Sequence, residues 1–176
     1  MTLSERHLTN ILRSRGVAMI ISLAGVWMAW SALVSGLAPL WPAGSTVALP
    51  SPSSWLHAMP EMSFVANIAV LVAVAALMIT LNRQFNLLRT MSIFFVAFFM
   101  FATCATPGVA CALSGSSLLA LVVMACVWLM FSIYAVRVSS RRIFLTFTLL
   151  SAGALVDYAF LFYVPVFILG LGQMKL

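Results

Sequence analysis

The sequence predicts an all-α polytopic transmembrane helix bundle, and three observations carry that expectation. Hydrophobic residues make up 64% of the 176 residues and charged residues only 7%, against roughly 45–50% and about 25% in a soluble domain. Apolar runs of membrane-spanning length recur along the chain, and short arginine clusters stand between them. At a mean hydropathy of +1.16, a chain of this size could not cover its own outside in water. A soluble enzyme, a disordered tail and a disulfide framework are excluded at this step. The expected solvent and first partner is the lipid bilayer.

A net charge of +6 would point to nucleic acid in a soluble protein. Here the basic residues are scattered in groups between apolar runs, which is the pattern of membrane orientation and headgroup contact. No nucleic-acid partner is expected.

A spanning helix needs about 20 mostly apolar residues. Residues 16–38, 62–81, 88–105 and 117–136 give four clear spans. The first is too long for the apolar part of a cleavable signal peptide, and Leu40-Trp41-Pro42 after it lacks a small-x-small cleavage site. The second is closed by Asn82-Arg83-Gln84. The third, opened by Arg89 and ended by Thr106-Pro107-Gly108, is short for a span. The fourth ends at Arg137.

The connections differ in character. Residues 39–60 hold five of the seven prolines and no charged side chain, so they read as an irregular cap on the membrane surface. Trp41 and Trp55 are expected at headgroup depth. Two other connections, 82–90 and 137–142, are short and basic. If each run spans once, Arg6, Arg13, Arg15, Arg83, Arg89, Arg137, Arg141 and Arg142 all fall on one side. The positive-inside rule places that side, and the N-terminus, in the cytoplasm.

The last apolar region, 143–176, would be about 51 Å long as one straight helix, beyond what ordinary tilt absorbs. Either one tilted helix emerges near Pro165, or two short arms, 143–157 and 158–174, meet at Asp157-Tyr158 and form a broken or re-entrant pair. The hairpin is favoured, because it returns Lys175 to the basic side and explains an acid within an apolar tract. The ending GLGQMKL leaves a helix without a polar tail, so the chain is expected to be part of a longer protein.

The run FLTFTLLSAGALVDYAFLFYVPVFILGLGQMKL resembles a segment of uncharacterised bacterial multi-pass membrane proteins, and distantly that of polytopic glycosyltransferases acting on lipid-linked sugars. In both, a small-residue helix, an aromatic-rich turn and a proline precede further helices. The resemblance implies a bacterial inner-membrane protein. Those transferases carry acids in the first outer loop, whereas residues 39–60 contain none and Glu61 is the nearest.

Asp157, with Asn67 and Tyr158, is the candidate intramembrane polar site. A carboxylate inside the bilayer is costly and by default functional, as a proton relay or cation site. The alternative is a hydrated helix end, where Asp157 caps the following turn. Cys104 and Cys111, as CATPGVAC, would permit a disulfide across the Pro107-Gly108 turn in an oxidising compartment; the bland alternative is free apolar thiols. Disulfide-generating quinone oxidoreductases, also small helical membrane proteins, resemble this arrangement, but they need a Cys-x-x-Cys pair and the chain has none. Cys126 reads as a packing residue.

The only histidines, His7 and His57, lie outside the apolar runs, so intramembrane haem ligation is not expected. His57 and Glu61 are separated by Pro60 and do not make a metal site. Ser114-Gly115-Ser116-Ser117 lacks a base for serine-protease chemistry and reads as a helix cap. No cofactor and no metal are expected. Small residues four apart, Gly25 and Ala29, Ala32 and Gly36, Ala69 and Ala73, suit close helix packing. Phe94, Phe95, Phe98, Phe99 and Phe101 are expected to face lipid. The expected function is that of a non-catalytic membrane component or a fragment of a larger transport or glycan-handling protein. A small-solute transporter subunit, or an enzyme on lipid-linked sugars, are the other classes, and a membrane-protein partner or homo-oligomer is the expected protein contact.

Overall fold

The computed structural model describes residues 14–36, 52, 56, 58–87, 92–134 and 140–173. The described residues form helices and no strands. In chain order these are α1 (Arg15–Val34), α2 (Pro60–Phe85), α3 (Ser92–Cys104), α4 (Pro107–Ala110), α5 (Gly115–Tyr134), α6 (Ser140–Ala154), a 3-10 turn (Tyr158–Phe162) and α7 (Tyr163–Gln173).

Local chemistry sets the described boundaries. α1 stops where Gly36 takes a left-handed φ of 67°, a conformation that costs glycine nothing. The span expected to reach residue 38 thus ends as helix at Val34. α2 opens on Pro60, whose missing N–H is harmless in a first turn. Glu61 in that turn and Arg83 in the last both suit the helix dipole. The sequence reading closed this helix at Asn82-Arg83-Gln84, but it runs on to Phe85. Those three polar residues are compatible with a helix; the stop is Asn86, left-handed at φ 50°, whose N–H donates to the Asn82 carbonyl at 2.8 Å.

Among the described residues, three helices are long and apolar enough to cross a membrane: Arg15–Val34, Pro60–Phe85 and Gly115–Ile133. The expected span at 88–105 is a helix of 13 residues, Ser92–Cys104, about 20 Å long; 88–91 lie outside the described residues. The described residues thus present three full-length apolar helices and a shorter one within 88–105. After Cys104 the chain turns into α4, a single turn begun by Pro107.

Between the last two helices the chain is irregular around Asp157. α6 ends at Ala154, Asp157 is extended at φ −147° and ψ 134°, and the 3-10 turn follows. α7 then runs back along α5. Its start lies near the Gly115 end, where Asp157 approaches Gly115, and its later residue Gly170 sits against Met130.

Two apolar clusters organise the helices. In one, Ala29 of α1, Phe64, Leu71 and Ala75 of α2, Met100 and Cys104 of α3 and Ala110 of α4 are buried together. In the other, Cys126 and Met130 of α5 pack with Leu150 of α6 and Phe167 of α7. α2 and α5 join the two halves. Phe85 and Phe131 lie 5.4 Å apart, and Trp128 Nε1 donates to Gln84 Oε1 at 3.0 Å.

Of the small-residue pairs, Gly25 and Ala29 are both buried, whereas Ala69 and Gly36 are exposed. A Cβ added to Gly25 would stand 3.0 Å from the Phe101 Cα, so glycine here lets α1 and α3 approach backbone to backbone. The phenylalanines of α3 divide. Phe95 and Phe98 are exposed, while Phe99 packs on the first cluster. Large apolar side chains line the outside, Trp27 and Phe162 at 71% and 78% exposure among them. In water that surface would be untenable; against lipid it is ordinary.

Candidate functional site

Charge is segregated along the bundle. Arg15 opens α1, Arg83 lies in the last turn of α2, and Arg141 and Arg142 lie in the first turn of α6. α1 and α2 bring Arg15 and Arg83 to one groove, and Gln84 beside Arg83 contacts Trp128 near the end of α5. Arg142 reaches the same end: its Nη1 donates to the Ser132 carbonyl and hydroxyl at 2.5 and 2.6 Å. A cation there also complements the negative end of the α5 dipole. The two described acids stand at the opposite end, Glu61 in the first turn of α2 and Asp157 beside Gly115 at the start of α5.

Asn67 is fully buried in α2. Its Nδ2 donates to the carbonyls of Val109 and Ala110, at 2.7 and 2.9 Å. These are carbonyls of the single-turn helix α4, which by its shortness leaves acceptors without intrahelical donors. Ser63, one helical turn earlier, accepts from the Leu113 N–H at 2.9 Å. Two side chains of α2 therefore hold the irregular α4 segment against the bundle. Asn67 Oδ1 is buried with no hydrogen-bond partner.

Cys104 and Cys111 flank α4. Both thiols are free and buried, and Cys111 Sγ lies 3.6 Å from the Ala29 carbonyl. Cys126 is buried in the second cluster, its thiol 3.7 Å from the Thr146 carbonyl.

Asp157 is half-buried, and Tyr158 beside it is 55% exposed. Asp157 Oδ1 accepts from the Ala159 N–H at 3.0 Å, the bond of a cap on the 3-10 turn. A Cβ on Gly115 would come within 3.0 Å of Asp157 Oδ2, which places the carboxylate over the positive end of α5. Next to it, Ser114 Oγ accepts from the Ser117 N–H at 3.3 Å and bonds the hydroxyls of Ser116 and Ser117. Ser114 thus occupies the capping position.

Asn67 and Asp157 bond to different parts of the fold, and Tyr158 is exposed beside Asp157. Asn67 is committed to α4, Asp157 to the 3-10 turn, and no hydrogen bond joins them. Other hydroxyls in the helices bond back to their own backbone: Ser22 to Ala18, Thr103 to Phe99, Thr146 to Arg142, the usual way a hydroxyl is satisfied in lipid. Among the described residues no group of His, Cys, Asp and Glu side chains could hold a metal; His7 and His57 lie outside them, as do Trp41 and Trp55.

Sequence reasoning missed two positions. Phe160 is buried at 1% exposure beneath Gly153, and Arg142 bridges to the end of α5. The chain matches no protein-family model, no curated protein and no solved structure.

Proposed function

We propose that this chain is a non-catalytic, multi-pass component of a bacterial inner membrane, on its own or within a larger transport or glycan-handling protein. Its arginine-rich end, with the N-terminus, faces the cytoplasm. The observation that supports this reading is the charge segregation: four described arginines at one end, two acids at the other, and apolar helices of about 30 Å between them. The positive-inside rule gives the orientation. α3 with α4, and α6 with the 3-10 turn and α7, enter the bilayer as broken elements whose exposed backbone groups are satisfied from neighbouring helices. The non-catalytic part rests on Asn67, Ser63 and Asp157, whose bonds go to backbone groups.

A second reading is a small-solute transporter subunit, and one observation favours it. Asn67 Oδ1 is a buried acceptor with no partner, the kind of group a passing solute or water could meet.

Thiol labelling in intact cells tests the main reading. The native cysteines at 104, 111 and 126 are buried, so background is low. Ser53→Cys is expected to react with an impermeant maleimide from outside, and Ser139→Cys only after the membrane is opened. The reverse pattern would overturn the orientation. Release of the protein by alkaline carbonate would overturn the membrane assignment itself.

A further inference from the structure

An open groove of about 720 Å³ runs between α1 and α2 over α3. Buried Ala18 and Ala97 line it, and their small side chains let an occupant lie deep. Its sides include Met19, Leu23 and Val72, all more than half exposed. Arg15 and Arg83 line its end, and among the described residues no acidic side chain does. The hydroxyl of Ser22 is already bonded to the Ala18 carbonyl at 3.0 Å, so the groove presents an apolar trough with two guanidinium groups at one end.

A neighbouring groove gives the contrast. It is of similar size, about 740 Å³, and is lined by Trp27, Trp30, Phe64 and other apolar residues, with no charged side chain. The first groove is thus distinguished by its arginines and not by its size. Two guanidinium groups with no carboxylate beside them among the described residues favour an anion, and their forked N–H groups match phosphate oxygens. Arginine at the end of a spanning helix stands at headgroup depth, where basic pockets between helices take anionic headgroups.

We infer that this groove binds one anionic phospholipid from the adjacent leaflet, its phosphate on Arg15 and Arg83 and one acyl chain along Leu23 and Val72. The inference rests on the reading that these helices cross a bilayer, which the carbonate extraction tests separately.

The experiment is native mass spectrometry of the protein in a neutral detergent. It is titrated with dioleoylphosphatidylglycerol or dioleoylphosphatidylcholine. The wild type is expected to retain one phosphatidylglycerol at a Kd lower by about tenfold than that for phosphatidylcholine. Arg15→Gln with Arg83→Gln is expected to erase that preference, and the paired Arg→Lys variant to keep most of it. Arg141→Gln, on α6, should leave it unchanged. Val72→Trp, which fills the trough, should lower phosphatidylglycerol binding while both arginines remain. Equal binding of the two lipids by the wild type, undiminished phosphatidylglycerol binding by the double Gln variant, or indifference to Val72→Trp would each overturn the inference. So would displacement of the lipid by millimolar inorganic phosphate, which would mark a free-anion site.

Discussion

The carboxamide of Asn67 donates to the Ala110 carbonyl at 2.9 Å across 43 residues of sequence, and both residues are fully buried. The bond closes α4 onto α2 at the acid-bearing end of the bundle. Asn67→Leu keeps the branched shape but leaves the Val109 and Ala110 carbonyls without these donors. A loss of about 1–3 kcal/mol is expected, read as a lower melting temperature in detergent. Asn67→Asp should be worse, because carboxylate oxygens would then face two carbonyl oxygens. An unchanged melting temperature for both variants would show that α4 holds its place without this bond.

Gly25 makes a different kind of contact. The nearest neighbour of an added Cβ is the backbone Cα of Phe101, at 3.0 Å, followed by the Cys104 Cβ at 3.3 Å. Neither is the far end of a flexible side chain, so α1 must move away from α3. Gly25→Ala is expected to cost about 1–3 kcal/mol by overpacking. Gly172→Ala is the control: it meets nothing within 4 Å and should be neutral or slightly stabilising through helix propensity. Equal melting temperatures for the two alanine variants would refute the close approach.

The apolar helices were legible because burial in lipid writes itself into composition, residue by residue. Asp157 stood out for a related reason: an acid in an apolar run needs a helix end or a partner. Boundaries were harder. Asn82-Arg83-Gln84 looks like a stop, yet nothing in those side chains opposes a helix, and the left-handed Asn86 decides it. Asn67 stood out as a polar residue among alanines and valines. Its partner did not, because that partner is a backbone turn fixed by the packing of α4. That Asn67 and Asp157 bond to different partners likewise follows from which helices pair, and periodicity along one chain carries no record of that. Gly153 with Phe160 was invisible: a ring folding back across an irregular seven-residue path has no sequence spacing of its own.

That ring predicts a coupled pair. A Cβ on Gly153 would collide with three atoms of the Phe160 ring, and Phe160 is almost wholly buried. Gly153→Ala is expected to displace the ring and loosen the return of α7 along α5, at about 1–3 kcal/mol. Phe160→Ala alone should cost about 3–5 kcal/mol by leaving a cavity. In the double variant the new methyl group enters the space the ring vacated, so the combined loss should fall short of the two single losses added. Strict additivity in detergent melting would show that the two positions do not touch.

Asp157 offers the sharpest choice between a working carboxylate and a structural one. Its Oδ1 caps the 3-10 turn through the Ala159 N–H at 3.0 Å, and an amide oxygen can accept that bond about as well. Oδ2 lies toward Gly115 at the start of α5, where negative charge gains roughly 0.3–1 kcal/mol from the helix dipole. Asp157→Asn keeps the cap and gives up the charge, so it should cost no more than that dipole contribution. Asp157→Ala gives up both and should lose about 1 kcal/mol more. A proton or cation site would behave differently: the Asn variant would melt near wild type yet fail to restore whatever phenotype deletion of the gene produces. Melting both variants in detergent, alongside complementation by each, separates the roles. A complementing Asn variant beside a destabilised Ala variant is the outcome expected from the capping geometry. Loss of complementation by a fully stable Asn variant would instead place Asp157 in the protein's chemistry.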